Sequence, residues 1–228
     1  MGTLLHFEPP APLLRAGLRE RLGTDPGAEA AEAAIRAEIA YYRAHLDEGR
    51  DAASLAALRR RCAEAMRPAL PSPLSSAPGE MLTAALLGAL RFHAFDDAAP
   101  ALRALRAAGA RLVVVSNWDA SLHERLTETG LAVLVDGALA SAEVGAAKPD
   151  RAIFAAALAL AGAAPYEAWH VGDSIEADVE GARAAGLTPV LIDREGREGG
   201  ARAEDRAALR GVPVIESLAE LLPLVATR

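Results

Sequence analysis

Along residues 12 to about 92 the apolar positions follow helical spacing, interrupted at Gly23-Thr24-Asp25-Pro26-Gly27 and between Pro68 and Pro78. The Asp25-Pro26 pair predicts a cap and a first-turn proline ahead of a helix over Ala28 to Leu46, and a further helix is expected over Ala52 to Met66. Pro71-Ser72-Pro73-Leu74-Ser75-Ser76 reads as a loop, and Gly79 to Phe92 as another helix. From Ala98 the pattern changes. Helical stretches now alternate with short apolar runs at Leu112 to Val115, Val133 to Val135, Trp169 to Val171, Pro189 to Ile192 and Val212 to Ile215. Such runs, bounded by glycine or polar residues and separated by helices, predict an α/β fold with a parallel sheet covered on both faces. Arg194 to Gly200 reads as a flexible loop.

Composition narrows the classes. A chain of 228 residues has room for one large core, or a core with a small second domain. With 52% hydrophobic but only 4% aromatic residues, its helices are expected to pack through small side chains. No segment approaches the ~18 uninterrupted apolar residues of a membrane span, and no signal peptide is visible, so a cytoplasmic protein without a membrane partner is expected. The formal charge of −7 argues against a nucleic-acid partner, whose footprint is a basic face. Cys62 is the single cysteine, which excludes an internal disulfide and a cysteine-based zinc site and leaves a buried structural thiol.

Three downstream segments carry the candidate chemistry. Val113-Val114-Val115-Ser116-Asn117 ends a strand in a hydroxyl and an amide, and ligands of open α/β sheets bind beyond the carboxyl ends of the strands. Ser116 is placed either to hold a phosphoryl oxygen or to cap the next helix. Trp118 and Asp119 flank it, to shape the entrance or simply to pack. Lys148-Pro149-Asp150 puts an ammonium, a compact point charge, at a strand-to-helix junction, with Pro149-Asp150 opening a helix over Arg151 to Leu160. His170-Val171-Gly172-Asp173-Ser174, with Asp178, delivers hard oxygen donors to the sheet edge. These suit Mg²⁺, or else serve as acids favoured at a helix start.

In this order the segments resemble motifs II, III and IV of the haloacid dehalogenase (HAD) superfamily, whose members are mostly Mg-dependent phosphohydrolases. The resemblance runs from Gly2 to Ile192. It implies a HAD-like α/β core of residues 1–11 and 93–228, with a helical C1-type cap of residues 12–92. It also implies Mg²⁺ as cofactor, a small phosphorylated molecule as substrate, and a monomer or homodimer. Ser116, Asn117 and Lys148 would bind phosphate, Lys148 and Ser116 acting in catalysis. Asp173 would ligate the metal, with Asp178 behind it orienting Lys148 or a metal-bound water. Phe7, Tyr41, Tyr42, His45, Arg91 and His93 lie in or beside the cap, where packing explains them as well as substrate contact does.

Motif I of that family is a hydrophobic strand ending Asp-x-Asp-Gly-Thr, whose first Asp is the nucleophile. Met1-Gly2-Thr3-Leu4 matches only its end. Met1 then stands on the second Asp, with its backbone carbonyl left to ligate Mg²⁺. The central first strand and the nucleophile are expected upstream of this chain, which by itself is expected to turn over little. A 2-haloacid dehalogenase-like hydrolase and a catalytically silent phosphate-binding or interaction protein are the alternatives.

Overall fold

The computed structural model describes residues 2–194 and 209–226. They form two compact units, one of Phe7–His93 and one of Met1–His6 with Ala94–Arg228. Strands β1 (Leu5–Phe7) and β2 (Phe92–Ala94) pair as a two-stranded sheet where the chain passes from one unit to the other.

The Phe7–His93 unit is built from helices α1 (Pro10–Leu22), α2 (Ala28–His45), α3 (Ala52–Met66) and α4 (Gly79–Ala89). Helix α1 starts on prolines and stops at Gly23, whose φ of 70° is the left-handed conformation that ends a helix. At α3 the Asp51 carboxylate accepts the Ala53 and Ser54 amides while the Ser54 hydroxyl accepts the Asp51 amide, a reciprocal cap. Leu14, Leu18, Leu58, Met66, Leu74, Leu82 and Leu86 bury completely between these helices, each contributing roughly 1.5–3 kcal/mol. Ala34, Ala63, Ala85 and Ala89 fill the spaces between them, and Cys62 lies in the same core.

Three expectations for this region are corrected. Gly27, not Asp25, is the N-cap of α2 and Pro26 stays outside the helix; the Asp25 carboxylate instead accepts the Gly27 amide and pairs with Arg15 at 2.6 Å. Helix α4 ends at Ala89 rather than Phe92, because Phe92 turns into β2 and stacks on Phe7 with ring centres 5.5 Å apart. Within the Pro71–Ser76 stretch, Leu74–Ser76 forms a 3₁₀ turn that sinks Leu74 into the core.

The second unit alternates strands and helices: α5 (Ala98–Ala107), β3 (Val113–Ser116), α6 (Leu122–Glu128), β4 (Gly137–Ala140), α7 (Ser141–Val144), α8 (Arg151–Ala161), β5 (Trp169–Gly172), α9 (Gly181–Ala184), β6 (Thr188–Ile192), β7 (Val214–Ile215) and α10 (Leu221–Ala226). The pairs β3–β4, β5–β6 and β6–β7 are parallel. β3 runs beside β4 with Ser116 opposite Ala140, and β5–β6–β7 form a second ladder with Gly172 opposite Leu191. The strand expected at Val133–Val135 is not there. Ala132–Leu134 is a 3₁₀ turn with Val133 81% exposed, and the strand follows at Gly137. Pro149 likewise precedes α8 instead of entering its first turn; Asp150 is the cap, accepting the Ala152 amide.

Among the described residues β3 and β5 do not pair with each other. Both are only half-buried over most of their length, whereas β6 hides Val190, Leu191 and Ile192 almost completely. Each therefore keeps a second edge on which no described strand lies, and one of its acceptors, the Val115 carbonyl, is met by a side chain, Lys148 Nζ at 3.0 Å. The central strand expected ahead of Gly2, the Met1 carbonyl and the loop beyond Arg194 lie outside the described residues. Among those that are described, no helix is long and apolar enough to cross a membrane.

Candidate active site

The carboxyl ends of β3 and β5 gather the polar groups of the α/β unit. Gly172 closes β5 and hands the chain to Asp173 and Ser174, after which Ile175–Glu180 winds as a π-helix. The Ser174 hydroxyl accepts the Ala177 amide, and both the Asp178 and Val179 amides donate to the Ser174 carbonyl. This wide turn, a geometry enriched at functional sites, swings Asp178 back beneath the strand end. A Cβ on Gly172 would collide with the Asp178 carboxyl carbon, so the glycine is what lets the carboxylate lie there.

Asp178, 5% exposed, is the hub. Its Oδ1 accepts from Lys148 Nζ at 2.6 Å and from His170 Nε2 at 2.9 Å, and its Oδ2 accepts the Ser174 amide at 3.0 Å. Burial works against a charge here. The His170 hydrogen bond and the Lys148 cation outweigh it and hold the carboxyl well below the usual range. Burial also keeps His170 below its ordinary pKa, against the pull of Asp178. A neutral ring beside a carboxylate must donate through Nε2, because an ionised carboxylate only accepts. Phe154 packs against the imidazole in a T-shaped contact, ring centres 5.1 Å apart.

Lys148 is positioned from both ends. Its backbone is clamped by the Asn117 side chain, whose Nδ2 donates to the Lys148 carbonyl at 2.8 Å and whose Oδ1 accepts the Lys148 amide at 2.7 Å. Asn117 thus ties the lysine loop to the end of β3. Ser116 is half-buried, and among the described residues its hydroxyl neither caps a helix nor meets another partner. Asp119 accepts the Ser121 amide at the start of α6, and Trp118 is buried with Nε1 donating to the Ser121 hydroxyl.

A third group comes from the start of the chain. The Thr3 hydroxyl donates to Asp173 Oδ1 at 2.9 Å. Arg194, just beyond β6, donates to the Gly2 and Thr3 carbonyls, forms a two-pronged pair with Asp97 at 2.9 and 3.0 Å, and stacks on the Phe95 ring. Asp97 also accepts the Ser217 hydroxyl and the Leu218 amide. Its partial burial opposes ionisation, and these donors together hold it below its ordinary pKa.

The structure therefore joins Lys148, Asp178 and Asn117 in one contact network and sets Asp173 against Thr3. His170, Arg194 and Asp97 escaped the sequence reading. His170 carried one faint signal, a polar residue inside an apolar strand; Arg194 and Asp97 carried none, since their partners are distant in sequence. Among the described residues no three His, Cys, Asp or Glu side chains cluster as a metal site. One carboxylate at a strand end does suit Mg²⁺, which takes one or two protein carboxylates and keeps several waters.

The family model for haloacid dehalogenase-like hydrolases matches residues 1–186. The chain belongs to this family. Among curated proteins it is 37% identical over 135 residues to mouse haloacid dehalogenase-like hydrolase domain-containing protein 3, covering 58% of this chain and 51% of that one. It is 40% identical over 119 residues to a phosphoserine phosphatase of Thermus thermophilus, covering 52% and 46%. The chain thus spans about half the length of the curated relatives it matches. Two solved HAD structures match over nearly their whole length, each with a TM-score of 0.63. One is a HAD phosphatase from Thermococcus onnurineus, 26% identical over 99% of this chain and 94% of that one. The other is a 2-haloacid dehalogenase from Pseudomonas syringae, 27% identical over 100% and 95%. They agree on a HAD-like hydrolase with an α/β fold and parallel sheets, and divide between two chemistries.

Proposed function

We propose that this HAD-like hydrolase is a Mg²⁺-dependent phosphatase acting on a small phosphomonoester, with the Phe7–His93 unit as its cap and the cytoplasm as its location. The observation that carries the reading is the lysine cluster. Lys148 has two of its three N–H donors fixed, on Asp178 and the Val115 carbonyl, beside the turn that bears Asp173. A phosphoryl oxygen is the acceptor that such a fixed, singly charged donor suits. The phosphatases among the relatives lend the same support.

In this mechanism the Ser116 hydroxyl and Lys148 hold the transferring oxygens, and Asn117 keeps the lysine loop in place. Asp173, with the Met1 carbonyl, would hold Mg²⁺, which supplies positive charge against the phosphoryl group when bound. The motif I carboxylate that the family mechanism requires attacks phosphorus, and the alcohol leaves as an aspartyl phosphate forms. Water then cleaves that acyl phosphate, which frees the carboxylate and releases phosphate. The 228 residues supply no carboxylate at that position, so residues 1–228 alone are expected to turn over little. The Met1 thioether has no titratable proton, so the typical 10²–10⁴-fold help of a general acid is absent or supplied by another group.

The test compares residues 1–228 with the same chain preceded by an apolar strand ending in Asp. The extended protein should hydrolyse p-nitrophenyl phosphate with Mg²⁺ and stop when the metal is chelated, while residues 1–228 stay near background. Ordinary enzymatic rates from residues 1–228 would overturn the nucleophile assignment. Halide release from 2-chloropropionate without added metal would favour the dehalogenase instead, and inertness of the extended chain in both assays would leave a silent binder.

A further inference from the structure

Lys148 brings three N–H donors on a flexible stem, and a lysine presented to phosphate in a fixed direction needs that freedom removed. Two donors are spoken for, one on Val115 and one on Asp178 Oδ1. The direction of the third therefore depends on how firmly Oδ1 is held. Gly172 puts no side chain against the Asp178 carboxyl, and Oδ2 has the Ser174 amide. Oδ1 itself is fixed by one other donor, His170 Nε2 at 2.9 Å. We propose that His170 is a positioning residue of this site: by donating to Asp178 it sets the direction in which Lys148 offers its remaining N–H to a phosphoryl group. This rests on the phosphatase reading above.

Packing alone does not account for the imidazole. Its side chain is only 11% exposed and meets the Phe154 ring in a T-shaped contact, in an otherwise apolar strand. Burying a polar ring costs free energy that a leucine of similar reach would avoid. The imidazole touches Asp178 on the same oxygen as the lysine, so its removal leaves the carboxylate freer to turn about its Cβ–Cγ bond. Lys148 would then follow the carboxylate.

The experiment uses residues 1–228, in which no nucleophilic carboxylate competes with a bound anion, and inorganic phosphate with Mg²⁺ as the probe. Phosphate affinity is measured by ³¹P NMR titration for wild type, Lys148→Met, His170→Leu, His170→Asn and His170→Gln. Thermal unfolding and the ¹⁵N ammonium signal of Lys148 are recorded in parallel. A Gln amide reaches where Nε2 sits and can still donate to Asp178, whereas an Asn amide stops at the Nδ1 position. Expected are binding by wild type, its loss in Lys148→Met, about tenfold weakening in His170→Leu and His170→Asn, and near-wild-type affinity in His170→Gln. The Lys148 signal should sharpen or broaden in step with affinity and not with melting temperature. If wild type binds no better than Lys148→Met, the phosphatase reading falls and the proposal with it. If wild type binds and His170→Asn and His170→Leu match it, the reading stands and the positioning role is refuted. Weakening in all three His170 variants that tracks lost stability marks a purely structural histidine and equally refutes it. Should His170→Leu not fold, the Asn and Gln pair decides alone.

Discussion

Asp178 occupies space that a side chain on Gly172 would need, so two residues six apart in sequence share one volume. Gly172→Ala must expel the carboxylate and break its contacts with Lys148 and His170. Breaking a buried pair in this way costs about 3–5 kcal/mol. Gly88→Ala is the matched control. It lies in α4, is exposed, and has nothing within 4 Å of its added methyl, so it should stabilise by up to about 1 kcal/mol. Urea unfolding of the two variants checks the pair, and a Gly172→Ala protein as stable as wild type would contradict the collision. The Gly172-Asp173-Ser174 segment and the later Asp178 were readable in the sequence, because residue type and order carry them, whereas the volume that Gly172 leaves for Asp178 was not. The role of His170 was not, because a strand's sequence does not say which neighbour its one polar side chain meets.

At the scale of elements, α2 and α3 enclose an ionisable group in an apolar core. Glu38 is 4% exposed, and burial pushes its pKa from 4.5 up to about 7, partly opposed by a hydrogen bond from the Cys62 thiol. The unfolded chain releases this proton near pH 4.5 and the folded unit near pH 7. Between those values the folded state binds more proton, so stability falls as pH rises. The contribution is intact below pH 4.5, is lost by about pH 7 and is flat above that, on the order of 3 kcal/mol in total. Glu38→Gln should melt with a smaller decline between pH 5 and 8 than wild type. Parallel curves for the two proteins would remove Glu38 as the cause.

The helices were legible because their apolar spacing is long and regular, and most strands because their runs are short and bounded. The failure at Val133–Val135 has a physical origin. In the run Leu131-Ala132-Val133-Leu134-Val135, Leu131 is buried while Val133 faces solvent, so the apolar character reports a turn anchored at one end. Local helix starts misled for a similar reason. Asp25 has a capping side chain and the right position, yet Arg15, ten residues earlier, claims it.

At the scale of the molecule, the Arg194–Asp97 cluster gathers Gly2, Thr3, Phe95 and Ser217 around one guanidinium and one carboxylate. Such a junction has a consequence in time. A chain made at about 5–20 residues per second needs roughly 10–40 s to pass from Thr3 to Ser217, and during that interval the first residues have only part of their anchoring. Thr3, which holds Asp173, should settle late although it is made long before Ser217. Ribosome-bound chains halted at residue 190 should leave the Thr3 methyl mobile by NMR relaxation, and chains in which residue 226 has cleared the tunnel should order it, because Thr3 is anchored through its hydroxyl and carbonyl. Equal order at both lengths would mean that Thr3 does not wait for Ser217 and its neighbours to be made.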